Sequence, residues 1–208
     1  MKIAILGAEC TGKSTLAQAL LAELQTDHPT VTWVPEFLGE WCDTQARRPG
    51  AHEQAHIAAE QMARVHAHQR ASMVLSDTTP LMTAVYSDLL FGDPSLYAQA
   101  VEQHRNFDLT LVTGLDLPWL ANGIRRDGPD TRTQVDHRLR EVLQRHGISY
   151  STVHGQAQAR TRSALQAIAY AIGAPRPRTV RSTWIWPCEK CSDSECEHRL
   201  FRGLLPSV

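Results

Sequence analysis

The segment Gly7-Ala8-Glu9-Cys10-Thr11-Gly12-Lys13-Ser14 decides the fold of this chain, because it matches the complete phosphate-binding pattern G-x-x-x-x-G-K-[ST]. The apolar residues 2–6 before it predict a buried strand, and residues 13–26 predict a helix. A strand, a glycine-containing loop and a helix in this order form the context in which the pattern binds phosphate. Lys13 is one of three lysines, against eighteen arginines, so composition alone rarely places a lysine here.

The loop residues predict a site for the phosphates of a nucleoside triphosphate, with ATP as the expected nucleotide. Its glycines allow backbone N–H groups to turn inward around an anion, and the start of the helix adds a favourable dipole. We expect Lys13 to reach the β- and γ-phosphates and Ser14 to bind Mg²⁺. The residues predicted to contact the nucleotide are Gly7, Glu9, Cys10, Thr11, Gly12, Lys13, Ser14 and Thr15.

The composition is that of an ordinary globular protein of 208 residues, with 42% hydrophobic and 21% charged residues. A net charge of −1 gives no argument for a nucleic-acid or membrane partner. No apolar run approaches the length of a membrane span. Because the chain opens directly into a strand, we expect no signal peptide and a cytoplasmic protein. The oligomeric state, including a homo-oligomer, stays open.

Strand and helix patterns alternate along the chain, which predicts an α/β fold. The predicted strands are 2–6, 31–35, 73–77, 108–113 and 149–153, and the predicted helices are 13–26, 36–46, 52–71, 79–90, 94–105, 130–146 and 156–172. Five strands joined by crossover helices imply a three-layer sandwich around a five-stranded parallel sheet. Right-handed crossovers bring the carboxyl ends of all strands to one edge, where the phosphate loop lies and ligands should gather.

Two acids directly follow or close strands at this edge and are the predicted catalytic carboxylates. Glu36 follows the second strand and Asp77 closes the third. Phosphoryl transfer to a hydroxyl needs one carboxylate that orients the hydroxyl and accepts its proton, and a group that holds Mg²⁺ or its waters. The spacing does not decide which acid is the base. The alternative for Asp77 is a helix cap, since Thr78-Thr79-Pro80 is a plausible helix start.

Arginines after the fourth strand are candidates for contact with the transferring phosphate. Arg125 and Arg126 follow residues 119–124, and Arg132 is a third candidate. A mobile segment here could bring a guanidinium onto the γ-phosphate and neutralise its charge. The alternative is a solvent-exposed helix end.

The segment His52-Glu53-Gln54-Ala55-His56 matches H-E-x-x-H, a pattern of zinc metalloproteases. Ten histidines make a chance match far more frequent than for the phosphate loop. The segment also starts its predicted helix and lacks a G-x-x-H continuation, with Ala59 and Met62 in those places. The pattern therefore weighs little against a phosphate-binding function.

The character of the chain changes after Gly173, so we predict one domain over residues 1–173 and a linker with a cysteine-rich segment over residues 174–208. Three cysteines and a histidine within eleven residues can close a tetrahedral Zn²⁺ site or hold an iron–sulfur cluster. The predicted ligands are Cys188, Cys191, Cys196 and His198. The alternative is a tail with free thiols.

Several segments, in this order, resemble the ribosylnicotinamide kinase domain of NadR-like proteins over about residues 1–172. The phosphate loop resembles the family's G-x-E-S-x-G-K-S-T form, with Glu9 as the internal acid. The other matching segments are Pro35-Glu36-Phe37, Ser76-Asp77-Thr78 and Trp119-x-x-Asn122-Gly123-x-Arg125. Asn122 departs from the family's usual Asp, and the adenylyltransferase and DNA-binding parts of NadR proteins have no counterpart here.

The resemblance implies a P-loop kinase fold that uses ATP and Mg²⁺ to phosphorylate the 5′-hydroxyl of nicotinamide riboside, a step of NAD salvage. An analogy with nucleoside kinases makes Glu36 or Asp77 the base. We expect Ser14 and Asp77 to hold Mg²⁺ directly or through water. Arg125 would close over the transferring group, with Arg126 at the nucleotide. Two alternatives stay open: a kinase for another nucleoside-like acceptor, and a regulatory ATP-binding module whose tail engages a partner.

Overall fold

A computed structural model describes residues 1–119 and 128–173 of the chain. The described residues contain five strands, each within a few residues of its predicted position. They are β1 Lys2–Leu6, β2 Val31–Val34, β3 Met73–Asp77, β4 Leu109–Thr113 and β5 Ser151–Val153. The division of the chain near residue 174 stays a prediction, because the second segment lies outside the described residues.

The helices of the described residues also match the predicted ones in number and order. They are α1 Lys13–Leu24, α2 Phe37–Gln45, α3 Gln54–Ala67, α4 Pro80–Phe91, α5 Tyr97–His104, α6 Pro129–Arg145 and α7 Ala157–Ala171. The helix predicted over 52–71 is shorter in the structure. It begins after a 3₁₀ turn, Ala51–Glu53, and ends before the exposed polar run His68-Gln69-Arg70.

The five strands form one parallel sheet in the order β2-β3-β1-β4-β5, which confirms the predicted sheet. β1, which leads into the phosphate loop, therefore lies between β3 and β4. Ile5 pairs in register with Asp77 on one side and with Leu111 on the other. The acid that closes β3 consequently lies beside the strand that carries the loop.

Helices cover both faces of the sheet, and alternate residues of β1 enter two different cores. Ile3 and Ile5 pack in a core with residues of α1 and α7. Ala4 and Leu6 pack in a core with residues of α4, α5 and α6. All four side chains are fully buried, and burial of a side chain as large as Ile3, Ile5 or Leu6 contributes about 1.5–3 kcal/mol. This packing fixes β1, and with it the start of the phosphate loop.

None of the helices in the described part of the chain combines the length and the apolar character that a bilayer span requires.

Candidate active site

The phosphate loop adopts a conformation that only small or unusual residues allow. Gly7 has a φ of +145°, and a Cβ there would lie 2.1 Å from Thr113 Oγ1. Gly12 precedes α1 with a φ of +75°, and Cys10 is left-handed at +56° without being glycine. Residues with positive φ within a short loop allow backbone N–H groups to turn towards one point, as anion binding requires. The backbone of the loop is therefore compatible with the predicted phosphate site.

Hydroxyl and amino groups hold the loop from inside. Thr11, which is fully buried, donates from Oγ1 to the Ala8 carbonyl at 2.7 Å and accepts from Thr113 Oγ1 at 2.7 Å. Lys13 Nζ donates to the same Ala8 carbonyl at 2.9 Å. The lysine therefore starts at the mouth of the loop, from which its flexible chain can turn to a phosphate.

Asp77 is the most consequential side chain of the site because it is a buried acid without a hydrogen-bond partner. Its residue is 1% exposed, and neither carboxylate oxygen has a hydrogen-bond partner among the described residues. Burial raises the pKa of Asp77, while the charge of Lys13 and the nearby Ser14 hydroxyl oppose this shift. A buried carboxylate is costly unless a cation accompanies it.

The environment of Asp77 fits Mg²⁺. Mg²⁺ prefers oxygen ligands and is usually held by one or two protein groups together with water and phosphate oxygens. Asp77 supplies an unsatisfied carboxylate, and Ser14, at the start of α1, supplies a hydroxyl close to it. These two residues would hold the ion between the phosphate loop and the end of β3.

The turn after Asp77 is held in a rare conformation. Thr78 has a φ of +77°, which is exceptional for a β-branched residue. Its N–H donates to the Ile5 carbonyl at 3.0 Å, and Ser76 Oγ donates to its carbonyl at 2.6 Å. Thr79 then caps α4 by accepting from the Leu81 N–H. The helix-cap role considered for Asp77 thus falls to Thr79, which leaves the Asp77 carboxylate for other partners.

Glu36 lies at the N-cap position of α2, where β2 ends. Val34 pairs in register with Ser76, so the two predicted acids follow neighbouring strands at the same edge of the sheet. Gln61 of α3, which is 1% exposed, fixes this turn: its Oε1 accepts from the Phe37 N–H at 2.8 Å and its Nε2 donates to the Pro35 carbonyl at 3.4 Å. The structure thus holds Glu36 by the backbone on both sides of it.

An open cleft of about 560 Å³ lies beside Glu36. It is lined by Pro35, Glu36, Gly39, Glu40, Asp43 and Thr44. Glu40 also forms a two-pronged ion pair with Arg64, with N–O distances of 2.6 and 3.1 Å, which lowers the pKa of its carboxyl. Three acidic residues therefore line a cleft that is large enough for part of a small molecule.

Some predicted site residues lie outside the described residues, namely Arg125, Arg126, Cys188, Cys191, Cys196 and His198. The third arginine candidate, Arg132, is buried at the start of α6 and donates from Nη2 to the Leu117 carbonyl at 2.8 Å. Leu117 in turn lies next to Gly12 of the phosphate loop. Arg132 is therefore connected to the phosphate loop through Leu117. Its Nε is buried without a hydrogen-bond partner among the described residues.

The H-E-x-x-H segment is divided between the 3₁₀ turn and α3. Glu53, the residue that would act as base in a zinc protease, forms an ion pair with Arg47 and accepts from the Gly50 N–H, and both lower its pKa to about 2. Across residues 1–119 and 128–173, no group of three or more His, Cys, Asp or Glu side chains is arranged to hold a metal ion.

The structure adds residues to the site that the sequence did not single out. Thr113 supports the phosphate loop from β4, Gln61 supports the Glu36 turn from α3, and Arg160 reaches the loop from α7. Each acts across a large separation in sequence, and none belongs to a local motif, so only the folded chain shows them.

A family model described as an AAA domain, AAA_28, matches residues 2–160. Among solved structures, the chain is similar to NadR protein in complex with NR, with 18% sequence identity, a TM-score of 0.68 and coverage of 85% of this chain and 52% of that one. It is also similar to thymidylate kinase from Ehrlichia chaffeensis, with 14% identity, a TM-score of 0.61 and coverage of 82% and 97%.

A deoxyadenosine kinase from M. mycoides gives 15% identity and a TM-score of 0.55, with coverage of 83% of this chain and 99% of that one. Curated protein sequences gave no significant match. The chain spans about half the length of the NadR chains that it matches. These likenesses confirm the predicted P-loop kinase fold and the resemblance to NadR.

Proposed function

Because the chain belongs to the AAA_28 family of AAA domains and has the fold of P-loop kinases, we propose that it is an ATP-dependent kinase of a nucleoside-like small molecule. The observation that carries this proposal is Asp77, a buried and unpartnered carboxylate beside Lys13 and Ser14 of the phosphate loop. A loop that only bound phosphate would not need such an acid. A site that also holds Mg²⁺ for phosphoryl transfer does.

We propose the following roles for the residues of this site. Lys13 and the backbone N–H groups of residues 7–15 hold the phosphates of ATP. This loop includes Glu9, Cys10, Thr11 and Thr15. Ser14 and Asp77 would hold Mg²⁺, which would neutralise charge on the phosphates. The acceptor oxygen forms a bond to the γ-phosphorus as the bond to the ADP oxygen breaks. Its proton passes to a carboxylate, Glu36 or Asp77.

We propose that Arg125 contacts the transferring phosphoryl group and that Arg126 contacts the nucleotide. Both belong to the segment between β4 and α6, and α6 begins at the edge of the sheet that carries the phosphate loop. A guanidinium placed there would stabilise the charge that develops on the equatorial oxygens.

Nicotinamide riboside is the acceptor that we propose, phosphorylated at its 5′-hydroxyl for NAD salvage. The motif resemblance and the NadR structure with bound NR support this choice. We expect such an enzyme in the cytoplasm, where ATP and nucleosides are available, with small molecules as its partners.

A second candidate acceptor is another nucleoside, which the similarity to thymidylate and deoxyadenosine kinases supports. The other alternative, a regulatory ATP-binding module, would differ from a kinase in turnover, because it would bind ATP without transferring phosphate.

The test is transfer of radiolabelled phosphate from ATP to nicotinamide riboside and to common nucleosides, each with Mg²⁺. We expect labelled mononucleotide from nicotinamide riboside, and a loss of roughly 100-fold or more in kcat for Lys13→Ala. Asp77→Asn should also lose transfer. Without Mg²⁺, its free energy of unfolding should be about 1–3 kcal/mol higher than that of the wild type, because the substitution removes a buried charge whose oxygens lack hydrogen-bond partners. Transfer that Lys13→Ala leaves unchanged would contradict the mechanism.

A further inference from the structure

The phosphate loop has an unusual requirement on its outer side. In a loop whose N–H groups are to converge on phosphate, carbonyl groups that face the protein each need a hydrogen-bond donor. The Leu6 carbonyl is approached by Thr113 Oγ1, and the Ala8 carbonyl accepts from Thr11 and Lys13. The carbonyl of Thr11 is different, because its donor lies 149 residues further along the chain.

That donor is Arg160, whose Nη1 lies 2.8 Å from the Thr11 carbonyl oxygen. Arg160 belongs to the first part of α7, and its side chain is only 5% exposed. An arginine so deeply buried is rare unless its charge is compensated. Its position behind the loop therefore calls for an explanation beyond chain packing.

Two further hydrogen bonds fix the orientation of the guanidinium group. Its Nε donates to the Gly155 carbonyl at 2.8 Å, and its Nη2 donates to Asp116 Oδ1 at 2.5 Å. The other carboxylate oxygen of Asp116 accepts from the Gly155 N–H at 2.6 Å. One planar group thus joins the loop after β4, the loop after β5, α7 and the phosphate loop, and Asp116 compensates its charge.

We propose that Arg160 is a positioning residue that holds the phosphate loop in its nucleotide-binding shape, and that Asp116 orients it for this purpose. A loop whose carbonyl lacked this donor would have to turn the Thr11–Gly12 peptide to find another partner, and the N–H groups would then no longer converge. The role rests on the part of the proposed function in which the loop binds ATP, and it requires no particular acceptor.

The test is the affinity of the full-length protein for Mg²⁺–ATP, measured at equilibrium without acceptor, together with the melting temperature. For Arg160→Met we expect roughly tenfold or more weaker binding, as for the loss of a hydrogen bond from a charged group. The affinity of Arg160→Lys for Mg²⁺–ATP should lie between those of the wild type and Arg160→Met. An ammonium can reach one of the three partners but lacks the planar fork of a guanidinium. Asp116→Asn should also weaken binding, since it removes the compensating charge.

The matched control is Arg162→Met, on the same helix but with an exposed side chain, for which we expect wild-type affinity. If a nucleoside acceptor is found, the KM for ATP should rise in the Arg160 variants while the KM for the acceptor changes little. A purely structural arginine would lower the melting temperature and leave the affinity for ATP unchanged in the folded variants, and this result would overturn the proposal.

If Arg160→Met does not fold, Arg160→Lys and Asp116→Asn decide the matter in the same assay. Wild-type ATP affinity in both would overturn the positioning role. A wild-type protein that binds no Mg²⁺–ATP would instead contradict the proposed function, so the two failures are distinguishable.

Discussion

His104 is a fully enclosed imidazole that links two parts of the site's framework. Its Nδ1 lies 3.1 Å from Thr79 Oγ1, at the start of α4, and its Nε2 lies 2.9 Å from Thr110 Oγ1 in β4. The ring also stacks on Phe107. A neutral ring can donate from one nitrogen and accept at the other, whereas burial disfavours the charged form and lowers the pKa of His104 to about 4.

This pKa predicts a pH dependence of stability with a definite sign. The unfolded chain has the ordinary value of 6.5, so the unfolded state takes up a proton first as the pH falls. The contribution of His104 is complete above about pH 6.5 and is lost towards pH 4. Between about pH 7.5 and pH 5, the unfolding free energy of the wild type should fall by about 2 kcal/mol more than that of His104→Gln.

The measurement is urea unfolding of both proteins at the two pH values. Other titrating groups contribute equally to both proteins, so their difference isolates His104. Parallel losses in wild type and variant would contradict this prediction.

The sequence predicted single residues where a local pattern identifies them. Lys13 and Ser14 follow from the loop pattern, and Asp77 follows from its place at a strand end. The sequence could not predict that Asp77 is fully buried without a partner, that Thr78 takes a positive φ, or that His104 meets Thr110. Those features depend on side chains from separate elements that meet only in the folded protein.

At the scale of elements, the position of Glu36 depends on the contact between α2 and α3. The side-chain amide of Gln61 in α3 accepts a hydrogen bond from the Phe37 N–H and donates one to the Pro35 carbonyl, on either side of Glu36. Arg64, one turn further along α3, pairs with Glu40 and lies over the ring of Phe37 at 4.4 Å. The two helices therefore hold the wall of the acidic cleft together.

We predict that Gln61→Met affects the acceptor and not the nucleotide. The variant leaves a buried N–H and a carbonyl without partners, so the turn at Glu36 should shift to satisfy them. The kcat/KM for the acceptor should fall roughly tenfold, while the KM for ATP stays within about twofold.

Steady-state kinetics with each substrate varied in turn provides the measurement, with the exposed Gln69→Met as control. An equal loss for both substrates would show that the change spreads beyond the Glu36 turn.

The element boundaries show where sequence patterns are informative and where they stop. β1, β3 and α4 are strongly apolar, and their predicted bounds lie within a residue of those in the structure. The start of α3 was predicted two residues early, because Glu53 bonds to Gly50 and Arg47 and stabilises a 3₁₀ turn there. Such local side-chain bonds compete with the helix and are not visible in the apolar pattern.

At the scale of the whole molecule, the strand order explains why distant residues meet at the phosphate loop. β1 lies between β3 and β4, so Asp77 approaches the loop from one side and Thr113 from the other. The alternation of strands and helices predicted a parallel sheet with all carboxyl ends at one edge. It did not predict the order of the strands, because that order depends on how side chains pack in the two cores.

The last prediction concerns residues 174–208, whose cysteines the kinase fold does not require. The phosphate-binding pattern lies within residues 7–14, far in sequence from the cysteines. We therefore predict that a metal site in residues 174–208 is separable from ATP binding. We expect the full-length protein, purified without oxygen or chelator, to carry about one zinc ion per chain, as three thiolates and an imidazole can hold.

Replacing Cys188 and Cys191 by serine should remove this zinc, because two ligands cannot complete a tetrahedral site. The affinity for Mg²⁺–ATP should stay within about twofold of the wild type, while Cys42→Ala, which changes a buried cysteine of the kinase domain, should keep the zinc. Elemental analysis provides the measurement. Iron with sulfide would favour the cluster alternative, absence of both metals would contradict a metal site, and a loss of ATP affinity would mean that the tail takes part in nucleotide binding.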